Sequence, residues 1–400
     1  MGVDTMKTNI ARTLALNSRH RRVNAPFARV FLSIVALILV SGPGAGFVTR
    51  YEIIDLGTFG GFTSVALGIN NKRQVVGGAD GTDGRRRAYP WDNGTLTDLG
   101  NIGRVAHCGA WDINENTQIV GTVTGSGNIE DAFIWENGQM TELGDTAQAK
   151  SALAINDAGQ IVGAAIFPPP ISAQHAMLLE NGVLTDLTAA GFCSGIAWDI
   201  NNLGHVTGGL CIWQNGKNLD LGNLGGELGG GLGINDRNEV VGTAERNPFE
   251  GIFHAFLWQD GQMTDIGLLV EPLANMVNSK AEAINNKGQI VGAGTVQFGV
   301  AAGAFSEGFL YDPIHGPMLL KDTLAPNSGW SELSPRDIND NGWIVGSGTA
   351  PGGLPNRAFL MTPLPPIPAI SPALLAILTS AILIAGYVVL TKYARRPSCA

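Results

Sequence analysis

An Ile-Asn pair, followed by a short polar turn and then a Val-Gly or Thr-Gly step, recurs seven times in this chain. The asparagines are Asn70, Asn114, Asn156, Asn201, Asn235, Asn285 and Asn339, spaced by 44, 42, 45, 34, 50 and 54 residues. A unit of about 45 residues cannot bury both of its faces alone. Copies must therefore stack on one another, and this limits the chain to a repeat architecture.

Each copy holds four short apolar runs bounded by Gly, Asn, Asp or Pro, the pattern of short strands joined by turns. Asn156 to Gly159, Asn285 to Gly288 and Asn339 to Gly342 share one turn plan. Asn and Asp start such turns by bonding their own backbone, and Gly in the fourth place accepts positive φ. Arg73, Thr117 and Asn238 stand in that place in other copies. Asn is tolerated there, whereas Arg and Thr imply strain or a different turn. A second hairpin follows Trp91, Trp135, Trp213 and Trp258, with Leu179 in the same place, and carries Asn-Gly or Asp-Gly between apolar runs. These tryptophans are expected to pack between neighbouring units.

The two ends each carry half a unit. Residues 51–57 copy the last strand of a unit, and residues 357–361 copy a third strand that has no partner after it. Pairing 51–56 with 358–362 closes the stack and removes the exposed edge. The expected fold is an all-β, seven-bladed β-propeller of four-stranded blades over 47–362, with the strand at 51–56 completing the last blade. The Ile-Asn strand is expected innermost, then the Val-Gly strand, the Trp strand and the outer strand. A right-handed β-solenoid is the competing arrangement, and loops of such unequal length suit it less well.

Residues 1–46 read as a secretory signal peptide with a long basic region, an apolar run from Val30 to Val40 and a small-residue stretch ending at Gly46. An uncleaved N-terminal anchor is the other reading. Residues 363–372 form a Pro-rich linker or sorting motif. Residues 373–391 have the length and apolarity of a transmembrane helix, and 392–400 form a basic tail expected to stay cytoplasmic. Nine of the 25 Lys and Arg and one of the 34 acids lie outside 47–391, which leaves 16 against 33 and a net charge of −17. That sign argues against nucleic acid as a partner. Cys108, Cys193, Cys211 and Cys399 do not make a disulfide framework in so long a chain. Cys211, in the place of Phe256, is expected to act as a small buried hydrophobe. One bridge among the first three is open but unassigned.

No HExxH, GxSxG, P-loop or CxxC occurs. Among the histidines only His175 and His254 occupy equivalent places, and two blades apart they do not converge on one metal. Asp337 to Gly342 begins like a calcium loop, but Gly348 stands where the bidentate Glu would be, and the hairpin turn already accounts for its residues. No catalytic, cofactor-binding or metal-ligating residues are assigned.

The stretch His254 to Gly267, with Gly233-Ile234-Asn235 before it, resembles the bacterial family of probable extracellular HAF repeats, as do Asp55 to Gly61 and Asp220 to Gly226. The resemblance covers about 51–362. Asp131-Ala132-Phe133 and Arg357-Ala358-Phe359 depart from it at the His. The C-terminal segment resembles PEP-CTERM and IPTL-CTERM sorting signals, with Ile367 to Pro372 in the motif's place. These resemblances imply export and supply no activity. The expected role is a non-enzymatic binding or structural module. It would be anchored at the envelope through 373–391, or released after processing, and take an extracellular glycan or protein as partner. The alternatives are a polysaccharide-active enzyme or a lectin using one face of the ring. Trp330 is the only loop tryptophan that would favour the lectin.

Overall fold

The structure is a computed structural model that describes residues 50–100, 107–125, 130–143, 149–167, 174–249, 251–267, 270, 276–296 and 305–365. The expected signal peptide at 1–46, transmembrane helix at 373–391, tail at 392–400 and most of the linker at 363–372 lie outside these residues. Among the described residues no helix is long and apolar enough to cross a membrane.

Seven four-stranded antiparallel sheets form the blades of a propeller. The inner strands, in blade order, are Gly60–Ile69, His107–Ile113, Ala149–Ile155, Asp199–Ile200, Gly229–Ile234, Met276–Ile284 and Ser331–Ile338. The Val-Gly strand pairs next in each blade, then the Trp-type strand, then the short outer strand. The seventh blade borrows its outer strand, Tyr51–Asp55, from the other end of the chain. Tyr51 lies opposite Pro363, Ile53 opposite Met361 and Asp55 opposite Phe359. Beyond the ladder, Leu364 N–H donates to the Arg50 carbonyl at 2.7 Å, and Arg357 holds Asp55 at 3.1 Å.

The turn chemistry accounts for the hairpins. The fourth residue of the Asn turn has positive φ in all seven copies: Arg73 (68°), Thr117 (64°), Gly159 (78°), Gly204 (77°), Asn238 (61°), Gly288 (77°) and Gly342 (74°). Arg73 and Thr117 therefore adopt the common turn at a cost in strain. Each has a compensating contact with a neighbouring blade. Thr117 Oγ1 donates to Gln74 at 3.0 Å. The Arg73 guanidinium lies 5.9 Å from both the Trp91 and Trp343 rings, across the seam between the last blade and the first. At the outer hairpins both central residues have positive φ, as at Asn137 (53°) and Gly138 (81°), the signature of a type I′ turn.

The Val-Gly step has a steric origin. A Cβ on Gly121 would sit 2.1 Å from the Gly109 carbonyl oxygen and 2.6 Å from the Phe133 ring, and Gly77, Gly163, Gly242, Gly292 and Gly346 meet an inner-strand carbonyl at 2.0 to 2.2 Å. The inner strand also bulges here, two residues before the Ile of the Ile-Asn pair. The large side chain opposite the glycine fills the seam between blades. Tyr89, Phe133, Met177, Phe256, Phe309 and Phe359 are all fully buried. Trp91 and Trp258 are also core, packed against the preceding blade.

Blade 4 departs from the plan. Its inner pair has shrunk to Asp199–Ile200 on Val206–Thr207, and a disulfide joins Cys193, in the preceding crossover, to Cys211. Cys211 is buried as expected, but it is a crosslink rather than a free hydrophobe. The bridge secures a blade with little ladder of its own. It closes a loop with a sequence separation of 18, for which chain entropy gives about 3 kcal/mol. Reduction, or Cys193→Ser, is expected to lower the unfolding free energy by about that amount in denaturant melts.

Candidate functional site

Four tiers of residues, one from each blade, follow one another along the inner strands and their turns. The first is a closed ring of amides. Asn70 Nδ2 donates to the Asn114 carbonyl at 3.1 Å, Asn114 to Asn156 at 3.0 Å and Asn156 to Asn201 at 3.0 Å. Asn201 reaches Asn235 at 2.9 Å, Asn235 reaches Asn285 at 3.1 Å, Asn285 reaches Asn339 at 2.9 Å, and Asn339 returns to Asn70 at 2.8 Å. Each Oδ1 accepts two backbone N–H groups of its own turn, as Asn114 does from Asn116 and Gln118 at 3.0 and 2.9 Å. Those two donors fix which atom is oxygen and which is nitrogen.

The residues after the asparagines form a second ring. Asn71, Glu115, Asp157, Asn202, Asp236, Asn286 and Asp340 each accept the backbone N–H of the equivalent residue in the preceding blade, at 2.7 to 3.0 Å. Together the two rings surround a mouth of about 190 Å³, floored by the seven isoleucines.

The third tier stands one residue before each Ile and reads Gly68, Asp112, Ala154, Asp199, Gly233, Ala283 and Asp337. Each aspartate spans to the next blade. Asp112 accepts Ile155 N–H at 2.8 Å, Asp199 accepts Ile234 N–H at 2.8 Å and Asp337 accepts Ile69 N–H at 2.9 Å. Enclosure by the blades raises all three, against the lowering effect of these hydrogen bonds. Asp112 is pushed up to about 6, Asp337 to about 7, and Asp199 well above the ordinary carboxylate value. The folded protein thus holds protons that the unfolded chain has already released. The stability this confers is complete below the ordinary value near 4 and is lost as pH climbs through 6 and 7. Melting temperature is expected to fall between pH 5 and pH 8, and a profile rising over that interval contradicts the assignment.

The fourth tier is the bulge itself, formed by Leu67, Trp111, Leu153, Trp198, Leu232, Glu282 and Arg336. The register skips this residue in every blade whose inner pair is long enough to show it, and Trp198 holds the same place in blade 4. Pushed out of the ladder, these residues join no core cluster. Trp111, on an innermost strand, and Trp198, just before one, are both 41% exposed. Trp111 is steadied by a 3.1 Å hydrogen bond from Nε1 to Thr122. On the other arc Glu282 pairs with Lys280 at 2.8 Å and with Arg336 at 3.1 Å. These three line a cavity of about 490 Å³ that also includes Thr243, Asn278, Ser279 and Ser334. Its lining comes from blades 5, 6 and 7 and includes none of the asparagine turns.

The histidines do different work. His175 meets Asp186 at 2.8 Å and His254 meets Asp265 at 3.0 Å, tying the third strand to the outer strand. Arg87 with Asp98 at 2.8 Å, and Arg357 with Asp55, repeat the clamp in other blades. The His of the repeat motif is therefore one version of an outer-edge clamp onto an aspartate. Among the described residues no group of three or more His, Cys, Asp or Glu is placed to hold a metal ion. The carboxylate of Asp337 is committed to Ile69 and Ile338 N–H, which leaves the calcium-loop likeness as turn chemistry. Trp330 does lie in the loop before Ser331–Ile338, but its ring is turned onto the core rather than left open to solvent. It is half-buried and packs edge-on against Phe359 at 6.0 Å, on the side of the core cluster of the last blade. The exposed tryptophans on equivalent positions are Trp111 and Trp198, which their alternation with leucine from blade to blade concealed.

Residues 227–335 match the family model described as "Protein of unknown function (DUF3466)". That stretch spans blades 5 and 6 and enters blade 7. No curated protein matches the chain. Among similar solved structures is a gluconolactonase from Xanthomonas campestris, at 13% identity over 80% of this chain and 93% of that one, with a TM-score of 0.39. A puromycin-hydrolyzing peptidase of Mycobacterium tuberculosis is 12% identical over 80% of this chain, with a TM-score of 0.47, and this chain covers 54% of it. AofleA from Arthrobotrys oligospora is 11% identical over 78% of this chain and 86% of that one, with a TM-score of 0.33. At these similarities the fold assignment rests on the strand pairing of this chain itself.

Proposed function

We propose that this protein is an exported, envelope-held, non-enzymatic binding module that takes its ligand at the bulge tier. The supporting observation is the contrast between tiers. The amide ring is the same residue in every blade, as a part that serves only the fold can be. The bulge tier reads Leu, Trp, Leu, Trp, Leu, Glu, Arg, exposes Trp111, Trp198 and Arg336 to solvent, and forms no closed ring of bonds, its one cross-blade pair being Glu282–Arg336. A concavity with convergent polar groups is present at Lys280, Glu282 and Arg336, and the two tryptophans, outside its lining, stand at equivalent places of the same tier in blades 2 and 4. The enzyme reading has less behind it, because the carboxylates of the second and third tiers are already engaged with backbone N–H groups.

Export is supported by the signal-like segment at 1–46, by the HAF-repeat likeness, and by the Cys193–Cys211 bridge, since such bridges persist in oxidising compartments. The two ends of the propeller leave side by side. Tyr51 pairs with Pro363, and its hydroxyl lies near the Asn339 turn at Gly342. An anchor at 373–391 would therefore hold the amide-ring end toward the membrane and present the bulge tier outward. A cleaved sorting signal there would release the module with the same face free. The test is a glycan and peptide array probed with the purified full chain and with Trp111→Ala/Trp198→Ala. Binding that the double variant loses supports the reading. Hits retained in full by that variant, or no hits at all, overturn it.

A further inference from the structure

We infer that the ligand is an acidic saccharide, a short oligosaccharide bearing uronic carboxylates. This rests on the binding-module reading and adds the chemistry of the two arcs. Indole faces are broad, rigid and apolar, and suit the C–H faces of a sugar ring. Trp111 and Trp198 supply two of them on one arc, separated by Leu153.

The opposite arc carries cation in excess. Lys280 and Arg336 share one carboxylate, Glu282, in a chain whose formal net charge is −9. Neither cation is consumed by that partner. Arg336 engages Glu282 through Nη1 and keeps other N–H donors of its five, and Lys280 keeps two of its three. Their side chains are 40% and 43% exposed, whereas Glu282 is only 13% exposed. The guanidinium fork matches a carboxylate. The remaining charge of the protein is screened beyond about 8 Å at physiological salt, so this local excess decides what binds. The hydroxyls of Thr243 and Ser334, beside Asn278, give a sugar polar partners within the same cavity of about 490 Å³. That volume falls within the range of about 300–1,000 Å³ typical of small-molecule sites.

Isothermal titration of the purified full chain with matched oligomers of galacturonate and galactose tests this. The acidic oligomer is expected to bind at least tenfold tighter, with affinity falling as salt rises. Arg336→Gln is expected to remove about tenfold of the acidic affinity and leave the neutral affinity unchanged. Glu282→Gln is expected to raise the acidic affinity, because it frees both cations. These opposite shifts cannot both come from damage to the fold. Trp198→Ala is expected to weaken both ligands. Equal binding of the two oligomers, still lost on Trp198→Ala, overturns the acidic class and leaves the binding site standing. No binding of either, together with a blank array, overturns both.

Discussion

Asn114→Asp is expected to lower the unfolding free energy by about 3–5 kcal/mol at pH 8, a large share of the total for a domain. The substitution keeps the oxygen that accepts Asn116 and Gln118 N–H. It replaces the nitrogen that donates to the Asn156 carbonyl at 3.0 Å with a second oxygen. Asn114 is only 4% exposed, so the new carboxylate faces a carbonyl with little water to screen it. Burial raises its folded pKa above the unfolded value, so the deficit should shrink as pH falls and the protonated oxygen regains a donor. Denaturant melts of the variant and parent at pH 5 and pH 8 read this directly. An equal loss at both values, or no loss, shows that the cross-blade bond does not carry the ring. Asn114→Ala removes the acceptor as well and should be damaging at both pH values.

Removal of residues 50–57 is expected to do more. It takes away Tyr51 and Leu56, both buried, each about 1.5–3 kcal/mol of burial, together with the ladder on the last blade. The strand Leu354–Pro363 then becomes an open edge over Phe359, Leu360 and Met361, all fully buried in the intact ring. Open apolar edges recruit other chains. The truncated protein should appear as oligomers on size exclusion and melt at least 10 °C lower, a shift that follows from about this free-energy loss. A monomer with the parent melting temperature contradicts the clasp.

Much of this architecture could be read in the sequence because turns are local. Asn-Gly at the outer hairpins and Asn at the inner turns announce themselves through backbone preferences that need no tertiary context. The half-units at 51–57 and 357–361 gave the closure for the same reason. What stayed hidden depends on the ring. The Asn side chains looked fully employed by their own turns, and only the circle of blades brings the next carbonyl to each Nδ2. The clamp at the outer edge could have been found. Arg87–Asp98, His175–Asp186 and His254–Asp265 are each 11 residues apart, a constant spacing that groups His with Arg. The bulge tier had no such signal, because a residue expelled from a ladder looks like any other strand residue until the register is known. The partner of Cys211 was equally hidden, since Cys193 lies in a crossover with no counterpart in other blades.

The closed ring is tested most directly by joining its two ends. Glu52 and Thr362 lie directly opposite each other in the last blade, and directly opposed residues on antiparallel strands stand about 4.5–5.5 Å apart at Cα, within disulfide reach. The double variant Glu52→Cys/Thr362→Cys should form a 52–362 bridge nearly completely under mild oxidation, as a monomer, with a melting temperature no lower than the parent. Free thiols at both positions, or bridges found only between separate molecules, would mean that the seven copies do not close on themselves.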